Sequence, residues 1–204
     1  MNGILDLLAQ NLGGPQMGQL AQTIGADERQ TQQAIAAALP ALMAGLNRNT
    51  NSPQGAESLL GALQQDHDGS LLDNLSGFLG GQVSGRQTDG SGILSHILGG
   101  QRPEVEQGVA QASGLDLSKV QRLLPILAPL VMAALGRRQR QGGLGPDVLS
   151  DLLGQESRRA RQATPDSLLG PLGGFLDKDG DGDFKDDLMQ QAGSAILSNL
   201  FGRR

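Results

Sequence analysis

Residues 24–48 read IGADERQTQQAIAAALPALMAGLNR, and residues 113–137 read SGLDLSKVQRLLPILAPLVMAALGR. The two stretches superpose without a gap, and a shift of 89 residues carries the alignment outward over 3–48 and 92–137. Gly3, Ile4 and Leu5 fall on Gly92, Ile93 and Leu94, and Ala21, Gln22, Gly25 and Asp27 fall on Ala110, Gln111, Gly114 and Asp116. Pro40, Met43, Ala44, Leu46 and Arg48 fall on Pro129, Met132, Ala133, Leu135 and Arg137. Matched Pro, Met, Asp and Arg positions are more than shared Leu, Gly and Ala composition would produce, so the stretch is read as one unit written twice. Its pattern is helical. Gly25 suits a C-terminal cap, and Asp27 with Gln30 three residues on suits an N-cap. Ile35, Leu39, Leu42, Met43 and Leu46 share one helical stripe, as do Leu123, Leu124, Leu127, Leu130, Val131 and Ala134. A break or kink is expected at Pro40.

Further out, SLLDNLSGFL at 70–79 matches SLLGPLGGFL at 167–176 in seven of ten positions, after an insertion of eight residues. The opening of the unit returns a third time, since SGILSHILG at 91–99 resembles SAILSNLFG at 194–202. The expected architecture is therefore all-α and multihelical. It comprises a helical module at 1–80, a Gly/Ser-rich linker at 81–91, a second module at 92–176, an Asp-rich loop at 177–188, and a C-terminal helix at 189–204 resembling the start of a third module. Residues 138–145, Gly-rich and polar, are expected as an exposed loop inside the second module.

Composition sets limits on function. The chain of 204 residues is 38% hydrophobic, with four Phe and no Tyr, Trp or Cys, so its core must be aliphatic and helix-favouring. Without cysteine there is no disulfide, thiolate metal site or cysteine nucleophile. The net charge of -5 argues against a chain built to coat nucleic acid. No basic residue precedes the apolar N-terminal stretch, so it does not read as a secretory signal, and the cytoplasm is the expected address. The longest apolar segment, 123–135, is shorter than the ~20 residues of a membrane helix and reads as core.

One stretch carries recognisable chemistry. Residues 177–188 read DKDGDGDFKDDL. Asp177, Asp179 and Asp181 at alternate positions, with Gly182 at the sixth, match the first half of an EF-hand calcium loop, in which carboxylates converge around a glycine turn. The twelfth position, where a bidentate Glu belongs, is Leu188, so closure would fall to Asp186 or Asp187, with Asp183 also in the loop and affinity modest. Read instead as a bare acidic turn, Asp183 caps the following helix and Asp186 sits near its positive end, which leaves the other carboxylates repelling one another. Ca2+ is the cofactor this stretch favours.

Elsewhere the signals are plainer. His67, in Asp66-His67-Asp68-Gly69, sits in a run of the kind that caps helices, and His96 lies on an apolar helix where the other copies place Leu7 and Asn199. Neither is expected to act on a substrate or a metal. Arg137, Arg138, Arg140, Arg158, Arg159 and Arg161 make a basic patch without the aromatic residues that stack on bases, and read as solvated charge.

The opening Gly3-Ile4-Leu5-Asp6, the segments Ile24-Gly25-Ala26-Asp27 and Leu39-Pro40-Ala41-Leu42, the Gly77-Phe78-Leu79 ending, and the Asp-Gly run after Phe175-Leu176 resemble the YidB-like bacterial domain, a domain of unknown function. The resemblance covers most of the chain. It implies a multihelical fold and a bacterial origin, and brings no reaction, ligand or catalytic residue. Together these readings point to a non-catalytic structural or protein-interaction module. Its expected partner is a protein, including itself in a ring or filament, with neither membrane nor nucleic acid as a target. The alternative is a calcium-responsive binding module that uses the 177–187 loop, with a nucleic-acid-binding protein ranked below it.

Overall fold

The computed structural model describes residues 3–142 and 144–176, and among these the chain is all-α, with helices joined by turns and no strand. The acidic loop at 177–188 and the C-terminal segment at 189–204 lie outside the described residues. Short helices α1 (Ile4–Asn11) and α2 (Pro15–Ile24) lead into the long α3 (Glu28–Asn49), followed by α4 (Pro53–Gln65), α5 (Ser70–Asp73) and α6 (Leu75–Leu79). After a connecting segment come α7 (Gly90–Leu98), α8 (Arg102–Ser113), the 26-residue α9 (Leu117–Gly142), α10 (Pro146–Ala163), α11 (Asp166–Leu169) and α12 (Gly173–Leu176).

The caps follow from local chemistry. Gly25 ends α2 at φ 74, a left-handed conformation that glycine adopts without a Cβ penalty, and the Asp27 carboxylate accepts from the Gln30 N–H at 2.8 Å to start α3. Pro53 and Pro146 open α4 and α10 at a position whose N–H has no helical partner in any case.

Of the break or kink expected at Pro40 there is no break, since α3 runs through it from Glu28 to Asn49. The proline removes the N–H that would have bonded the Ala36 carbonyl, and the buried Thr164 hydroxyl approaches that carbonyl at 3.3 Å while bonding Ala160 O at 2.7 Å. In α9, Pro129 likewise frees the Pro125 carbonyl. The start of α7 lies against that carbonyl so closely that any Cβ on Gly90 would overlap the oxygen. The expected loop at 138–145 is also corrected, since α9 runs on to Gly142. Arginine and glutamine are good helix formers, and Arg137 and Arg140 tie this last stretch to the Asp68–Asp73 region of the neighbouring chain path.

Packing is interleaved. The most extensive contacts of α3 are with α10 and α8, and it also touches α7, α11 and α12. The other long helix, α9, packs on α1, α4 and α5 as well as on α7 and α8. The result is one continuous core running from Ile4 to Leu176. By length and composition α9 is long and apolar enough to cross a membrane, but 72% of its apolar window is buried against these neighbours. Polar groups reinforce the interleaving. The buried Glu156 carboxylate on α10 accepts from Ile4 N–H at 3.1 Å and Leu5 N–H at 3.4 Å, placing a negative charge at the positive end of α1. The Ser150 hydroxyl donates to Thr50 O at 3.1 Å, just past the end of α3.

Candidate functional site

Four helices leave a gap where they meet. The C-terminal half of α3, the inner face of α4, the exposed side of α7 and one residue of α9 enclose a half-open cavity of about 850 Å3. Leu46, Leu59, Ala62, Ile93, Ile97 and Met132 give it an apolar lining, while His67, Asp66, His96, Ser58, Arg86 and Asp89 supply polar atoms.

The walls are fixed by close backbone contacts. Gly45 lets α3 reach α7, since a Cβ there would stand 2.8 Å from the Ile97 carbonyl oxygen. From the next turn the Asn49 side-chain amide donates to His96 O at 2.7 Å, taking up a carbonyl at the end of α7 that no helical N–H can reach. The Ser52 hydroxyl accepts from Gly55 N–H at 3.1 Å and starts α4, and Asp89 does the same for α7 through Gly92 N–H at 3.0 Å. At the far end, α9 passes so close beneath the turn after α4 that a Cβ on Gly136 would overlap the His67 carbonyl oxygen.

That turn holds His67 in place. Gly69 adopts φ 88 against Arg137, which donates to Gly69 O at 3.1 Å and pairs with Asp73. Asp68 accepts from Ser70 N–H at 2.9 Å and faces Arg140 at 3.4 Å. Hydrogen bonds from Ser70, side chain first and then backbone, hold the Asp68 carboxyl below its ordinary range, with Arg140 adding to the effect. His67 itself is only 6% exposed and its Nδ1 has no hydrogen-bond partner. Burial lowers its pKa, opposed by the charges of Asp66 and Asp68.

The cavity brings together residues that sequence reading treats as unrelated. Asp66 stands at the C-cap position of α4, and Asp68, one residue before the Gly69 N-cap of α5, accepts from Ser70 N–H. His67 between them is buried on the cavity wall, and His96 is exposed at its rim. Arg86, in a single 3-10 turn between α6 and α7, and Asn49, on the polar side of α3, have no motif that marks them. A Ser, two His and two Asp around one cavity raise the question of a catalytic relay. Among the described residues, however, no hydrogen bond joins Ser58 to either histidine, or either imidazole to Asp66 or Asp89.

Among the described residues no group of three or more acidic or imidazole side chains could hold a metal ion. Asp177, Asp179, Asp181, Asp183, Asp186 and Asp187 lie outside the described residues. The chain leading to them is anchored: Phe175 and Leu176 are buried, and the Arg48 guanidinium lies 4.7 Å from the Phe175 ring centroid and donates to Phe175 O at 3.1 Å. Of the basic patch, Arg137, Arg140 and Arg159 are paired with Asp73, Asp68 and Glu156.

Neither the curated proteins nor the solved structures contain a match to the chain. A family model does match, over residues 6–138, a span that begins in α1, ends within α9 and includes every residue lining the cavity. The chain belongs to that family, described as bacterial protein of unknown function (DUF937).

Proposed function

We propose that this is a non-catalytic binding protein whose cavity between α3, α4, α7 and α9 takes the apolar body of a small amphipathic molecule. The observation that carries the reading is the cavity itself. Its volume lies within the roughly 300–1,000 Å3 of small-molecule sites, and it pairs a mainly apolar lining with a few polar groups at fixed positions. Leu59, Ala62, Ile93 and Ile97 would cover the apolar part of the guest. The exposed Arg86 would meet its polar end.

The test is a titration with anilinonaphthalene sulfonate, a dye with an apolar body and an anionic head. Saturable fluorescence at one dye per chain is expected. Ala62→Trp, which fills the cavity from a half-buried position on α4, should weaken binding at least about tenfold, which is about 1.4 kcal/mol. Dye binding that Ala62→Trp leaves unchanged would place the guest elsewhere.

The reading of the chain as two like copies rests on the shared order of elements around the aligned residues. In each half two short helices precede a long proline-containing one, and a medium helix and a series of short helical turns follow. The acidic run at 177–187 is proposed as a modest calcium site on its sequence alone, and isothermal titration at millimolar Ca2+ with no heat would remove it. A cytoplasmic address and the absence of a nucleic-acid role are part of the same proposal. The latter is supported by the pairing of three patch arginines with carboxylates.

A further inference from the structure

The interleaved packing has a bearing on partners. Within α1–α6, extensive contacts are confined to α2 with α3, α2 with α6 and α5 with α6. The other large contacts of this half, α3 on α10 and α8, α1 on α9, and α4 on α10 and α9, are made to α7–α12. Polar contacts cross in the same sense. Glu156 binds the start of α1, Ser150 reaches Thr50, Thr164 reaches Ala36, Arg137 reaches Gly69 and Asp73, and Asn49 reaches His96. Against these stands one covalent crossing, residues 80–89. It is mostly exposed, it forms a single 3-10 turn, and its Gly81 and Gly85 have positive φ. The core is thus an interface between two halves, held in one chain by a connector that contributes little to it.

We propose that a second copy of this chain is a partner, bound by reciprocal exchange: α1–α6 of each copy packs on α7–α12 of the other, with residues 80–89 opened as the hinge. The product is a closed two-fold dimer that repeats the contacts between the two halves, gives up only those of the hinge segment, and needs no new surface. Which form is populated follows from concentration at the moment of folding. A short flexible connector presents its partner half at an effective concentration in the millimolar range, so exchange competes once the chain itself approaches about 1 mM.

The experiment uses the full chain, unfolded in guanidinium and refolded at about 10 µM and at about 1 mM, on either side of that effective concentration. Light scattering is then read after dilution to one common concentration. Monomer is expected from the dilute refolding. A substantial dimer fraction is expected from the concentrated one, and it should survive dilution because reversal requires the whole shared core to open. Monomer from both refoldings, or a dimer that dissociates promptly on dilution, would overturn the proposal.

A mixing experiment separates exchange from side-by-side association. Asp73→Arg and Arg137→Asp each place like charges across the halves. In an exchanged heterodimer of the two variants, one interface restores the pair in reverse and the other carries the native pair. Co-refolding the variants at high concentration should therefore enrich the heterodimer above the statistical half, and a statistical mixture would count against exchange.

Discussion

His67 is the residue whose environment differs most from what its sequence context suggests. A histidine between two aspartates in a turn ordinarily gains charge stabilisation, and here burial outweighs it, so the folded state holds the imidazole less protonated than the unfolded chain does. The sign follows. A depressed folded pKa gives stability that is intact above the unfolded value of 6.5 and is lost as the pH falls from there through the folded value. Asp68, also depressed, contributes above its ordinary 3.8 and is lost only in stronger acid, so the two windows are separate. Urea midpoints measured across this range should fall below pH 6.5 in the native protein. In His67→Leu, where nothing titrates and no buried nitrogen is left unpaired, the curve should stay flat until the carboxylate range. An unchanged fall in the variant would mean that His67 is not the group responsible.

The element scale shows what sequence can and cannot specify. The caps at Gly25 and Asp27 are legible because a cap is settled within four residues. The surroundings of Pro40 are not legible, because the carbonyl that the proline leaves free is approached by the hydroxyl of Thr164, the residue that caps the end of α10. The same holds for 138–142, where Arg140 on the last turns of α9 faces Asp68, a residue 72 positions earlier that no local pattern connects to it. Thr164→Val should therefore destabilise by about 1 kcal/mol, the ordinary net worth of a hydrogen bond. The loss should shrink when Pro40→Ala restores an N–H to Ala36. Urea unfolding of the two single variants and the double variant measures the coupling, and strict additivity would show that the two residues do not communicate.

At the scale of the whole molecule, the all-α class and the membership of a bacterial family are secure. The cavity could not be foreseen, because its wall joins short helical stretches of α3, α4 and α7 with one residue of α9, and nothing local to any of these stretches says that they meet. The interleaving of halves was equally hidden, since a repeat in sequence does not say which copy packs on which. One shared core predicts one cooperative unfolding transition, with calorimetric and van't Hoff enthalpies in agreement. Two resolved transitions would mean that the halves are stable apart. The central claim is that the cavity binds, and methionine methyl groups report on it directly. Of the five Met in the chain, Met132 lines the cavity, whereas Met43 is buried in the core away from the lining. In a carbon-proton spectrum of methyl-labelled methionine, added anilinonaphthalene sulfonate should shift the Met132 signal saturably and leave Met43 in place. A Met132 signal that stays still while the dye is bound would contradict the account.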